Sequence, residues 1–350
     1  MFFSASRWRR TSRRFLSSRR LVPIALIFGF ALVLTFYTLH IQSLPDPRFY
    51  ERVALQVPHD PASLSSGLAQ SSRQGDHLIP HKIWQIFLTP PEIKEARPEL
   101  PQKQRDFIET WKVNNRDHEY HLLRDNDTVA FVQENFPQHE ALQRIFSGKG
   151  SAAMKSDILR YLLLFAIGGV YTDLDTVAWV PIDYWAPREY RSTARMIIGI
   201  EFDRLEGENW KGVHHELQFC QWTIAAAPGH PVFSAMVARA LKLLEDLEES
   251  YGKPFAELKP STNDVLTTTG PAAWTDAVFQ ELQKIDPSLR SLRDLSGLKK
   301  EKLIGDILIL PIDGFGAGQR HSGSTRLGVP PAARAKHKFH GVWKGRESRI

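Results

Sequence analysis

The sequence predicts an α/β fold with a mainly parallel central sheet, preceded by a single N-terminal transmembrane helix. Three observations predict it. From residue 77 onward, short β-prone runs alternate with segments of helical spacing, the pattern of strand–helix–strand units. Residues 21 to 39, LVPIALIFGFALVLTFYTL, contain no charged side chain. With 350 residues, 42% hydrophobic and 24% charged, the chain has the apolar material for a sizeable core in one large or two modest domains.

Residues 1 to 20 form a basic cytoplasmic tail. Arg7, Arg9, Arg10, Arg13, Arg14, Arg19 and Arg20 more than account for the net charge of +6, leaving −1 for the other 330 residues. The basic signal is a tail and not a binding face, so no nucleic-acid partner is expected. Residues 21 to 39, as a helix rising ~1.5 Å per residue, would be roughly 28 Å long, close to the ~30 Å hydrocarbon layer. A cleaved signal peptide would have a shorter apolar run and a small-residue cleavage site, and His40-Ile41-Gln42 offers none. The arginines hold the N-terminus in the cytosol, which makes this run a type II signal anchor in the lipid bilayer. Residues 40 to 76, rich in Pro, Ser and Gln without a sustained period, read as a stem, and the folded body spans 77 to 350.

Within the body, HKIWQIFL (81 to 88) and EYHLLRD (119 to 125) read as strands. Residues 127 to 136 and 152 to 167 read as helices, the second with Met154, Ile158, Leu162 and Phe165 on one side. The strand GVYTDLD follows, then MIIGIEF (196 to 202), LQFCQWTIAAA (217 to 227), helices from Pro231 and Pro271, and DILILP (306 to 311). Cys220 is the only cysteine, which excludes an intrachain disulfide, and Asn126-Asp127-Thr128 is the sole glycosylation sequon.

In sheets of this kind ligands bind beyond the carboxyl ends of the strands, which draws attention to Asp173 and Asp175. If the strand continues through Leu174, both carboxylates emerge on one side. Two such charges ~4 Å apart repel by roughly 4 kcal/mol at an effective dielectric near 20, a cost that a divalent cation shared with phosphate oxygens would offset. The alternative is a solvated turn. Upstream, Asp157 and Arg160 share a helical face, either as a surface ion pair or as polar groups beside the same cleft. Gly168 and Gly169 read as the helix stop.

Taken together, IPHKIWQIFL, SDILRYLLLFAIGGVYTDLD and FHGVWKG resemble glycosyltransferase family 32, the DXD sugar transferases, and within it the fungal α-1,6-mannosyltransferases that initiate N-glycan outer chains. The resemblance spans roughly residues 78 to 345. It implies a GT-A nucleotide-sugar fold, a Golgi location with the catalytic domain lumenal, a GDP-mannose donor and an N-glycan acceptor on a glycoprotein. By the same resemblance Asp173 and Asp175 bind Mn²⁺, with His340 as a further metal ligand. Asp157, Arg160 and Tyr161 contact the donor, Trp84 and Gln85 lie under its base, and Trp343 faces its phosphates. Asp264 stands on the acceptor side. Alternatives remain for several of these residues: Trp84 as ordinary core, His340 as a solvated terminal histidine beside His337, and Asp264 as a helix-capping acid.

The chemistry this implies is transfer with retention, in which the metal stabilises the departing diphosphate. Retention needs either an enzyme nucleophile or attack on the same face with the phosphate as base, and the sequence names no nucleophile. Two other functions compete. One is mannosylation of inositol phosphoceramide by another branch of the family, whose members have additional membrane spans; the longest later apolar run, YLLLFAIGGVY, is glycine-broken. The other is a non-catalytic subunit of a mannosyltransferase complex.

Overall fold

The computed structural model describes residues 78–89, 99–208, 210, 212–320 and 322–339, all within the compact unit Ala54–Ile350. The basic tail, the anchor at 21 to 39, the stem, and the two C-terminal candidates His340 and Trp343 lie outside the described residues. Among the described residues, no helix is long and apolar enough to cross a membrane.

Ten strands are described: β1 (Lys82–Ile86), β2 (Glu119–Leu123), β3 (Gly169–Thr172), β4 (Thr176–Ala178), β5 (Met196–Asp203), β6 (Leu217–Phe219), β7 (Thr223–Ala226), β8 (Lys302–Ile304), β9 (Ile307–Leu310) and β10 (Ala335–His337). The helices are α1 (Gln102–Asn114), α2 (Asp125–Asn135), α3 (Glu140–Ser147), α4 (Ala152–Ala166), α5 (Pro231–Tyr251), α6 (Thr262–Thr268), α7 (Pro271–Ile285) and the single turn α8 (Ile312–Phe315). The main sheet runs in the order β2-β1-β3-β7-β5-β9-β8, with β6 paired to β5, while β4 and β10 form a separate antiparallel pair.

The sheet is mainly parallel by direction and mixed by pairing. β2, β1, β3, β5 and β9 point one way, and β7 runs against both β3 and β5. The run LQFCQWTIAAA, read as one strand, is two. Its break falls at residues 220 to 222, whose carbonyls leave the ladder for other partners: Cys220 accepts from Trp274 Nε1 at 3.1 Å, Gln221 from Arg160 at 3.1 Å, and Trp222 from the Asp173 N–H at 2.8 Å.

Successive strand residues point to opposite faces, and this alternation sorts the core into two layers. Trp84, Tyr171, Ile198, Ile224 and Ile309 pack with α4, α5 and α7, around the fully buried Phe233 and Trp274. Ile83, Val170, Ile197, Ala225 and Leu308 pack on the other face against Trp111, Trp185 and Phe315. α4 is buried from Asp157 through Leu164, polar residues included, because the sheet covers one side and α5 and α6 the rest. Pro231 in the first turn and Gly252 in the left-handed conformation at the end bound α5, as the start and stop signals require.

Candidate active site

The site begins where α4 stops. Gly168 (φ +74°) follows the helix and donates its N–H to the Leu163 carbonyl, and Gly169 (φ +102°) opens β3. A Cβ on Gly168 would lie 2.7 Å from the Ala226 carbonyl oxygen, and one on Gly169 2.6 Å from that of Lys82. Both positions therefore need glycine for backbone angle and for space. The tight junction lets α4 and β3 run back to back, so the polar residues of the helix reach the end of the strand.

The strand does not continue through Leu174, as the sequence reading required. β3 ends at Thr172, and Asp173-Leu174-Asp175 is a tight turn leading into β4. The reason is a knot of threonine hydroxyls. Thr172 Oγ1 lies 2.7 Å from Thr176 Oγ1 and 2.8 Å from Thr223 Oγ1, and the Thr176 hydroxyl donates to the Asp173 carbonyl at 2.6 Å. The two aspartates converge because the turn folds over itself, not because of strand periodicity. Nor is the turn solvated: the side chains of Asp173 and Asp175 are only 27% and 13% exposed.

Two cations offset the paired negative charge. Arg160 sits 2.9 Å from Asp157 and 3.4 Å from Asp173, stacks 4.5 Å above the Tyr171 ring, and also donates to the Gln221 carbonyl. This is no surface ion pair, for Asp157 and Arg160 are about 5% exposed. Burial pushes the Asp157 carboxyl up to about 7, against the pull of Arg160 and of the Thr269 hydroxyl that donates to it at 2.8 Å. Burial also works against the Arg160 charge, but the oxygens of Tyr171, Asp173 and Asp157 outweigh it and hold the guanidinium protonated.

The second cation is His337, on β10, which the sequence reading noted and passed over for His340. Its Nε2 lies 3.0 Å from Asp175 and 3.8 Å from Asp173, and its ring stacks on Trp222. Burial opposes protonation of this imidazole, yet the hydrogen bonds and charges of the two aspartates win and push it up to about 9. The antiparallel pairing of β10 with β4 sets His337 opposite Thr176, next to the turn. That pairing closes a sequence separation of more than 160 residues, so no local pattern in the chain could mark it.

Asp173, Asp175 and His337 each offer one ligand atom, all within 4.8 Å of one another. Two carboxylates and an imidazole suit a divalent ion of the manganese kind, so the residues present fit the group that the sequence resemblance implies. Asp173 has one oxygen turned to the Tyr171 hydroxyl (2.5 Å) and Arg160 and the other toward His337, which fixes the carboxylate against rotation.

Sequence reasoning also missed Glu201. On β5 this buried carboxylate accepts from Gln218 at 2.9 Å and from Trp222 Nε1 at 3.2 Å. Burial pushes its carboxyl up. It steadies the indole beneath His337, and the charged residue within the apolar run MIIGIEF was the available signal.

Several of the predicted ligand residues are buried and already partnered within the fold. Trp84, 6% exposed, donates to the Gly168 carbonyl at 2.7 Å and stacks on His121. Gln85 is fully buried, donating to the Asp173 carbonyl at 3.0 Å while accepting from Tyr120. Tyr161, also fully buried, spends its hydroxyl on Gln221 and the Thr269 carbonyl. Gln85, Asp157, Arg160 and Tyr161 thus brace the acidic turn from beneath. Asp264 is the capping acid of α6, its carboxylate taken by the Ser261 N–H and the Tyr251 hydroxyl.

Residues 101–192 match the family model described as "Glycosyltransferase sugar-binding region containing DXD motif", and Asp173 and Asp175 fall inside the match. The matched stretch is similar to a DXD glycosyltransferase sugar-binding region. An initiation-specific α-1,6-mannosyltransferase of Schizosaccharomyces pombe is 34% identical over 271 residues, covering 76% of this chain and 64% of the relative. The same-named protein of Candida albicans is 27% identical, covering 86% of this chain and 78% of its own length; that of Saccharomyces cerevisiae is 24% identical, covering 76% and 78%. The chain thus spans just under two thirds of the S. pombe relative. Among solved structures, the PaToxG glycosyltransferase superposes with a TM-score of 0.36 at 15% identity, covering 63% of this chain and 79% of that one.

Proposed function

We propose that this protein is a retaining, metal-dependent mannosyltransferase that moves mannose from GDP-mannose to an N-linked high-mannose glycan in α-1,6 linkage. Its catalytic body is held in the Golgi lumen by the anchor at residues 21 to 39. The observation that carries the reading is the convergence at the exit of β3 of Asp173 and Asp175, both inside the matched DXD region, with His337 from outside it. The names of the three fungal relatives support the sugar and the linkage. The bilayer, the glycan acceptor and Mn²⁺ as the particular ion come from the sequence reading.

In the reaction the bond between mannose C1 and the β-phosphate oxygen breaks, a bond from C1 to an acceptor hydroxyl forms, and that hydroxyl gives up its proton as GDP departs. Asp173, Asp175 and His337 would hold the metal, which supplies positive charge to the leaving diphosphate. Arg160 holds Asp173 in place, since its planar guanidinium bridges two carboxylates at once. Trp222 and Glu201 fix the ring of His337, so that the ligand set is preorganised before the donor arrives.

The test is to incubate the purified chain with Mn²⁺, a high-mannose oligosaccharide and a panel of nucleotide sugars, then map any product linkage. Transfer of mannose from GDP-mannose in α-1,6 linkage, abolished by EDTA, is the expected result. Transfer undiminished by EDTA would overturn the metal assignment, and transfer from a different nucleotide sugar the donor.

A further inference from the structure

We propose that His81, His118 and Asp183 form a second metal site, one that takes zinc or a similar late divalent ion. It lies at the end of the sheet opposite the acidic turn. β1 and β2 are parallel neighbours with Lys82 paired to Glu119, and His81 and His118 are the residues just before them. The Glu119 N–H donates to the His81 carbonyl at 2.9 Å, which locks the two positions side by side. Asp173 follows the far end of β3, parallel to β1, so the sheet's length separates the two sites.

The geometry is that of a part-formed ligand shell. The two imidazoles stack with centroids 4.5 Å apart and planes 6° from parallel, and His81 Nε2 lies 3.8 Å from Asp183 Oδ1. One ligand atom from each residue falls within 4.8 Å of the other two. Two zinc–ligand bonds of ~2.1 Å span up to about 4.2 Å, so modest side-chain rotations complete the shell. Two imidazoles and one carboxylate are a donor set that zinc uses with a fourth position left open. The acidic turn, with two carboxylates to one imidazole, favours a harder ion.

The supports are rigid. Asp183 sits in the 3₁₀ turn Ile182–Tyr184, pinned where the Ile182 N–H donates to Asn115 Oδ1 at 2.8 Å. A cavity of about 30 Å³ adjoins the three residues, lined also by Pro80, Ile182 and Arg191, and His81 and Asp183 are more than a third exposed, so an ion can enter. The guanidinium of Arg191 donates to the Ala186 carbonyl at 3.2 Å. A bound ion would tie the starts of β1 and β2 to the 182–184 turn, joining segments far apart in the chain. This inference is independent of the transfer reaction.

The test uses the full chain stripped of metal, in a Asp173→Asn/Asp175→Asn background that disables the acidic turn. Equilibrium dialysis against micromolar Zn²⁺ should find one ion per chain, and Co²⁺ in its place should give the visible absorption of a low-coordinate site. His118→Ala should remove the ion. Asp183→Asn, which keeps the imidazole stack and the side-chain volume, should weaken binding by at least about tenfold and carries the test if the alanine variant fails to fold. No zinc bound by the background protein, or zinc bound equally well after Asp183→Asn, overturns the proposal.

Discussion

Asp175 makes the sharpest residue-scale prediction. It is small and part-buried, and asparagine keeps its volume, so Asp175→Asn should abolish mannose transfer while the chain still folds, its thermal midpoint shifted only by the lost ion pair with His337. Radiolabel transfer and a melting curve on one preparation check both halves. Arg160 is different, because it serves the site and the core at once. Arg160→Ala strands the buried Asp157 carboxylate without its ion-pair partner, which costs about 3–5 kcal/mol in comparable cases. Arg160→Lys should fold better but lose the simultaneous contact with Asp157 and Asp173, raising the KM for the proposed donor, GDP-mannose. Chemical denaturation separates the two variants, and an unchanged KM in the lysine variant would confine Arg160 to a structural part. The D-x-D and D-x-x-R spacings were legible in the sequence because each is local. His337 and Glu201 were not, since the contacts that give them meaning cross from β10 to β4 and from β5 to the loop at 220 to 222.

At the scale of elements, the junction between α4 and β3 and the start of α5 each allow a direct test. Gly168→Ala puts a methyl into the Ala226 carbonyl and demands a positive φ of a β-carbon residue, so it should destabilise by more than about 1 kcal/mol, read by denaturant midpoint. His230 caps α5 by accepting the Val232 N–H at its Nδ1, a role open only to the neutral ring. Burial holds its pKa below the usual 6.5, with the nearby Asp306 pulling the other way. The unfolded chain therefore binds the proton more readily than the folded one. Stability conferred by the cap is present above about pH 6.5 and is lost as pH falls toward the lower folded value. A His230→Gln variant should flatten that limb of the stability–pH curve. The helix boundaries were legible at these places because Gly, Pro and Ser punctuate them. The division of residues 217 to 227 into two strands was not, because composition there is uniformly strand-like and only partners elsewhere break the ladder.

For the molecule as a whole, metal and fold are linked through mass action. An ion that binds only the folded chain at a hundredfold excess over its Kd stabilises by about 2.7 kcal/mol. Manganese should therefore raise the melting temperature of the parental protein by several degrees, and Asp175→Asn should remove the rise. A rise that persists in the variant would place the responding site elsewhere. The alternating βαβ pattern announced the α/β class, and the direction of most strands agrees with it. β7, wedged antiparallel between β3 and β5, was invisible because strand direction is set by how the chain returns to the sheet and not by the residues within the strand.

The amino-acid sequence by itself determined the α/β class, the acidic pair, the helix that leads to it and the glycines between them. These depend on contacts within about twenty residues, where periodicity and spacing act directly. Only the tertiary structure decided that Asp173 and Asp175 meet in a turn, that Arg160 is buried beneath them, that Trp84, Gln85 and Tyr161 brace the site from within, and that His337 completes it. Each of those facts depends on which distant segments pack together, and burial changes what a side chain of given chemistry is able to do.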